Sequence, residues 1–265
     1  PTAGAIEFVH RYMRNVGQKS PKKYVVVYDL GGGTFDTSVV GLADYQFEVL
    51  SHEGIAELGG DDFDRIIFDQ ALAQLEVEND ELTQTQTTML LEECRQRKEG
   101  LHANTRKIVI DLAQALGRES SVVLDTEAIY EACQPMVERT VQTVGEIIGA
   151  VRAAGIDPED ARQLAAIYLV GGSIAFPPVA RRLRSDYERK VKASPFPHAS
   201  TAIGLAIMAD TQRQVSIQES VSRNFGVWRE QGNDKIFDPI FTKDSHMKGD
   251  ELVVKRTYSP MHNVG

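Results

Sequence analysis

The segment Asp29-Leu30-Gly31-Gly32-Gly33-Thr34-Phe35-Asp36 concentrates the residue types that handle phosphate and metal. Three consecutive glycines let backbone N–H groups close around phosphate oxygens with no Cβ in the way, and such a nest binds anions independently of net charge. Asp29 and Asp36 flank the loop, where they can hold a hydrated cation or orient a water, and Thr34 offers a hydroxyl to a terminal phosphate. The same residues also read as a glycine-rich hairpin turn with surface aspartates, since turns are the default use of glycine. A second junction, Tyr168-Leu169-Val170-Gly171-Gly172-Ser173, precedes Pro177. Glycines at the carboxyl end of a buried strand allow the close backbone approach that suits the flat adenosine of a nucleotide. Alone it is a tight strand-to-helix turn; two such junctions in one chain favour phosphate plus nucleoside binding, because each supplies what the other lacks.

Gly59-Gly60 ahead of Asp61 and Asp62 is a third candidate, readable as an anion site or simply as helix entry. Lys98 falls on an otherwise apolar helical stripe, either snorkelling to solvent or aimed into a nucleotide cleft. Cys94 reads as a small core residue, having no histidine near it in sequence. The six histidines show no metal-ligand spacing, and no nucleophile elbow or Gly-x-x-x-x-Gly-Lys loop is present.

These residues need an α/β framework to hold them. Tyr24 to Tyr28 and Ala166 to Val170 are continuous apolar runs typical of strands buried on both faces. Phe35 to Leu42 and Tyr45 to Leu50 alternate with period two, which predicts a three-stranded meander with the first run. Helices are expected over 1–15, from Asp61 onward, over 85–102, over 126–154 with an interruption at Pro135 and a stop at Gly155, after Asp157-Pro158, after Pro177, and over 200–210. Strands are expected at 107–112 and 121–124. Beyond about Thr211, helical periodicity gives way to β-type segments at 224–230, 235–241 and 251–257.

The chain has 265 residues, 42% hydrophobic and 25% charged, which is enough for one large or two modest globular domains. A net charge of −9 argues against capture of a nucleic-acid backbone as the main activity. Cys94 and Cys133 lie far apart without metal-ligand partners, so no disulfide framework is indicated and a reducing, cytoplasmic setting fits. No apolar run approaches a membrane span, and no basic-then-apolar leader opens the chain. Because it begins with Pro1 inside a helical pattern, the sequence is expected to be an excerpt of a longer polypeptide.

The motifs Pro1-Thr2-Ala3, Asp29 through Asp36, Leu58-Gly59-Gly60-Asp61-Asp62-Phe63-Asp64 and Val170-Gly171-Gly172-Ser173, in this order, resemble the 70-kilodalton heat-shock chaperones of the DnaK type. The similarity spans about residues 1–210. It implies an α/β, actin-like (ribonuclease H-like) ATPase fold: lobe II, a mixed sheet with flanking helices, over residues 1–212, and the start of a β-rich substrate-binding-like region over 213–265. In such proteins ATP hydrolysis changes the affinity of the β-rich domain for unfolded peptide segments, and co-chaperones take part.

By resemblance, Gly31, Gly32, Gly33 and Thr34 contact the β- and γ-phosphates, with Gly59 and Gly60 flanking that side. Asp29 and Asp36 sit at a magnesium and potassium cluster and help position the attacking water. Gly171, Gly172 and Ser173 line the adenosine pocket of ATP or ADP, and Lys98 reaches the nucleoside. Catalysis would come from positioning and electrostatics. The sequence departs from the family pattern at Ala175, where an arginine usually packs on adenine, at Arg95 in place of a glutamate near the ribose, and at His102 in place of a serine. The apolar interdomain linker is not evident in Thr211 to Ser222. The catalytic lysine, the first phosphate loop and a glutamate before Pro1 belong to the first lobe, so half a cleft is expected, with weak nucleotide binding and no appreciable turnover alone. An actin-like filament or scaffold protein, a sugar or acetate kinase of the superfamily, and a degenerate binding-only module are the competing readings.

Overall fold

The computed structural model describes residues 2–13, 21–43, 46–117, 119–210, 216–218, 224–231, 234–242 and 253–258. In chain order these form α1 (Thr2–Tyr12), β1 (Tyr24–Leu30), β2 (Phe35–Ala43), β3 (Gln46–Ile55), α2 (Gly60–Leu75), α3 (Gln84–Glu99), β4 (Lys107–Asp111), α4 (Ala113–Leu116) and β5 (Ser121–Asp125). There follow α5 (Thr126–Ala150), β6 (Leu164–Val170), α6 (Pro177–Tyr187), β7 (Val191–Ala193), α7 (Ser200–Ala209), β8 (Ser216–Gln218), β9 (Phe225–Gln231) and β10 (Asp234–Phe241).

β1 and β6 are buried almost end to end because both lie inside a six-stranded sheet of order β7-β6-β1-β2-β3-β8. β1, β2 and β3 form the expected antiparallel meander. β6 runs parallel to β1, and β7 parallel to β6, which makes the sheet mixed. Alternate residues of β1 serve its two faces. Val25 and Val27 pack with Ile6, Phe8 and Val9 of α1, whereas Tyr24, Val26 and Tyr28 join Phe63, Ile67, Ile129, Val144 and Leu183 of α2, α5 and α6. The Tyr28 hydroxyl meets Thr140 Oγ1 at 2.8 Å, tying β1 to α5, and burial pushes that phenol's pKa up. The sheet carries two register shifts, one between β1 and β6 at Tyr24/Val26 and one between β2 and β3 at Val39/Val40.

β8 adds to the free edge of β3 in parallel, pairing Ser216–Gln218 with Gln46–Glu48, so three residues of the expected second region extend the sheet. The rest of 211–223 lies outside the described residues. β4 and β5 form a separate two-stranded sheet, as do β9 and β10. In the latter, Trp228 is 70% exposed and meets Phe237 with ring centroids 5.3 Å apart. Residues 253–258 contain no strand, in contrast to the expectation for 251–257.

Three helix boundaries differ from the sequence pattern. α3 ends at Glu99, capped by Gly100, whose N–H bonds Gln96 O at 3.2 Å. Asp157-Pro158 starts turns in place of a helix: Asp157 Oδ1 accepts the N–H of Glu159 and Asp160 Oδ1 that of Arg162, each at 3.0 Å. These side chains outcompete a helical backbone for the same donors. α5 runs through Pro135 without a break. The proline is on the exposed face, where water can satisfy the carbonyl left free one turn earlier. Restoring that hydrogen bond with Pro135→Ala is expected to raise stability by about 1 kcal/mol or more, read as an upward shift of the urea midpoint with unchanged slope.

Candidate functional site

Parallel pairing of β1 with β6 sets Asp29 opposite Val170, so both glycine junctions leave the sheet side by side at the carboxyl ends of adjacent strands. That is where open α/β sheets place their ligands. The Gly31 carbonyl is the meeting point. It accepts the Ser173 hydroxyl at 2.8 Å and the Gly60 N–H at 3.0 Å. Asp61 N–H reaches Gly32 O at 2.7 Å, and Gly31 N–H closes its own turn onto Thr34 O at 2.9 Å. The three motifs, more than a hundred residues apart at the extremes, form one hydrogen-bonded cluster.

Two of the glycines are sterically required. Gly171 has φ +88°, and a Cβ there would strike the Leu30 carbonyl and lie 2.8 Å from Asp29 Oδ1. At Gly59 a Cβ would collide with the Gly32 carbonyl and lie 2.7 Å from Gly33 N. The loops touch backbone to backbone, with no room for side chains between them.

On the open side, Gly32, Gly33 and Thr34 are exposed. Among the described residues, the N–H groups of Gly32 and Gly33 donate to nothing else, which leaves them available to an anion. Asp29 and Asp36 are directly opposite across β1 and β2 and so project from the same sheet face. Burial pushes the Asp29 carboxyl pKa up, and the charge of Asp36 adds to this. Asp36 lies over Gly54, where a Cβ would come within 2.7 Å of its Oδ1. No group of three or more His, Cys, Asp and Glu that could hold a metal ion occurs among the described residues. Two carboxylates and a threonine hydroxyl beside open N–H groups fit magnesium, which takes one or two protein carboxylates and completes its shell with phosphate and water.

Lys98 does not snorkel. It is 8% exposed, donates to Gly60 O at 2.6 Å and pairs with Asp64 at 2.8 Å. Burial raises the Asp64 pKa, and Lys98 opposes that shift. Both residues brace the start of α2 from beneath the cluster. Cys94 is fully buried, and burial pushes its thiol up to about 12, as expected of a core residue. Of the three departures, Arg95 is exposed and paired with Glu99 at 3.2 Å, and His102 and Ala175 are exposed. One residue at the junction has no signal in the sequence: His198, whose ring lies against Gly172, where a Cβ would come within 2.8 Å of Nδ1.

A separate cavity of about 750 Å³ lies between the β4–β5 sheet and the start of α5, lined among others by Arg106, Lys107, Arg181, Asp125, Glu127 and Glu131. Its opposing charges offset one another and do not suit a polyphosphate, whereas the glycine cluster offers bare N–H groups.

A mixed sheet flanked by helices, with glycine loops gathered at its carboxyl end, fits the actin-like fold. The sequence model for the family "Hsp70 protein" matches residues 2–221. The chain belongs to the Hsp70 family. It is similar to the protein named Chaperone protein HscA homolog in Burkholderia cenocepacia and in Burkholderia multivorans, 32% identical over 184 residues in each case. The protein of that name in Burkholderia pseudomallei is 33% identical over the same length. Each match covers 69% of this chain but 28% of the relative's length. No helix among the described residues is long and apolar enough to cross a membrane.

Proposed function

We propose that this chain supplies one lobe of the ATP-binding cleft of an Hsp70-type chaperone. The lobe occupies residues 1–212, with β8 of the following region, 213–265, docked on its sheet edge. The observation that carries this reading is the convergence of three glycine junctions on the Gly31 carbonyl. The Gly32 and Gly33 N–H groups would hold β- and γ-phosphate oxygens, with Thr34 beside them. Gly59 and Gly60 would close that side, while Gly171, Gly172 and Ser173 would receive the nucleoside with Lys98 behind them.

Magnesium held near Asp29 and Asp36 would supply charge neutralisation for the phosphates, and potassium fits the same carboxylate pair. Asp29, at the strand end directly opposite Asp36, would be placed to orient the attacking water. Hydrolysis would then alter the grip of a C-terminal β-rich domain on unfolded client polypeptides, in the cytoplasm and with co-chaperones. The first lobe of the same protein would be the obligatory partner across the cleft.

Calorimetric titration of Mg·ATP tests this. The polypeptide extended upstream through the first lobe is expected to bind, and the 265-residue chain to bind weakly or not at all. In the extended form, Asp29→Asn is expected to lower steady-state turnover by about 100-fold or more while changing ADP affinity little, as for loss of a water-positioning group. Absence of binding in the extended form would favour a degenerate binding-only module, and rapid turnover by the 265-residue chain would refute the half-cleft reading.

A further inference from the structure

α1 carries a carboxylate where packing alone would call for an apolar side chain. Glu7 is 1% exposed, between Ile6 and Phe8. A carboxylate so placed is strongly unfavourable unless its oxygens are hydrogen-bonded. Its hydroxyl partners come from the two ends of a single loop. Ser194 Oγ, just past β7, lies 3.2 and 3.0 Å from Oε1 and Oε2, and Ser200 Oγ, at the start of α7, lies 2.5 Å from Oε2. Arg11, one turn along α1, reaches Oε1 at 3.2 Å and sets its guanidinium over the Phe196 ring, 5.5 Å from the centroid. The Ser194 hydroxyl also accepts the Phe196 N–H at 3.1 Å. Helix α1 therefore clamps residues 194–200 at both ends and in the middle.

Between those clamps lie the two groups that touch the second glycine junction. The Pro197 carbonyl accepts the Gly171 N–H at 3.1 Å, and the His198 ring rests against Gly172. The chain of contacts is continuous from Glu7, through the serine hydroxyls, to Pro197 and His198, and on to Gly171 and Gly172. We infer that Glu7 is a positioning residue for the nucleoside side of the cleft, acting through Ser194 and Ser200 to fix the loop that presents His198 and holds the Gly171–Ser173 junction. This inference rests on the nucleotide reading of the site.

The phosphate loop is also braced from the side the clamp does not reach, by the Gly60 and Asp61 N–H groups, so loosening the clamp should discriminate between ligands. In the polypeptide extended through the first lobe, Glu7→Ala is expected to weaken Mg·ADP about 10-fold and Mg·tripolyphosphate less than about 2-fold, with faster amide hydrogen exchange over 169–173. Glu7→Gln keeps an acceptor for Ser200 and is expected to return ADP affinity to within about 3-fold. Ser200→Ala, a milder change that serves if Glu7→Ala does not fold, is expected to show the same selectivity at about 3-fold. Equal losses for both ligands, or no change for either, would overturn the inference. If the unaltered protein binds neither ligand, the nucleotide reading fails instead, and exchange alone decides the clamp. Faster exchange over 169–173 with α2 unchanged then upholds it, and unchanged exchange over 169–173 overturns it.

Discussion

Lys98→Met is expected to lower the unfolding free energy by about 3 kcal/mol at neutral pH, measured by urea denaturation, because it strands Asp64 as a buried charge without a partner. Lys98 and Asp64 are both nearly inaccessible, and their contact is 2.8 Å, so solvent does little to screen the pair. Replacing both, as Lys98→Met with Asp64→Leu, is expected to recover most of the loss, since a buried ion pair and an apolar pair of similar volume are often equivalent. The pH dependence has a definite sign. The folded-state pKa of Asp64 is raised, by burial above all, so between its unfolded value near 4 and its folded value the folded chain binds more protons and stability falls as pH rises. Removing Lys98 raises the folded value further. The deficit of Lys98→Met is therefore largest above the variant's folded value and shrinks as the medium is acidified from there down through the wild-type folded value. A deficit independent of pH would show that Lys98 contributes by packing alone.

Gly171→Ala is expected to cost about 3 kcal/mol, and in the two-lobed protein to abolish measurable nucleotide affinity, from two additive causes. Its φ of +88° disfavours any side chain, and the added methyl would collide with the Leu30 carbonyl beside Asp29. Gly117 separates the two contributions. It also has positive φ, +64°, but a Cβ there meets nothing within 4 Å, so Gly117→Ala is expected to cost only about 1 kcal/mol and to leave binding intact. Similar losses at both positions would mean that backbone conformation, not the contact between strands, dominates at the junction.

Those two experiments bear on what the sequence could and could not convey. The sheet was legible because its cause is local: alternation along β2 and β3, and unbroken apolar runs in β1 and β6, reflect burial on one face or two. Lys98 was visible as a polar residue on an apolar stripe, although its partner Asp64 was not. Pro135 was misleading because the penalty for a helical proline depends on whether the freed carbonyl meets water, which is a tertiary fact. At Asp157 the competing side-chain hydrogen bonds were an available local signal that the Asp-Pro pair obscured. Glu7 was beyond reach for a different reason. Its hydroxyl partners follow 187 and 193 residues later, and neither end of the contact bears a motif. The same holds for His198, which matters only because β7 and α7 return the chain to Gly172.

The two register shifts of the sheet lie in its half remote from the glycine loops. Pairing is unbroken from Val26/Ile167 to Asp29/Val170, and from Phe35/Ile55 to Val39/Ser51. A slip of one residue anywhere along those stretches would turn Asp29 or Asp36 to the opposite face of the sheet. By taking up an odd residue at the far end, the bulges work like the slack end of a measuring tape. Strand lengths can drift there through insertion or deletion, while the numbering at the cleft end stays indexed to the same face and the same neighbours.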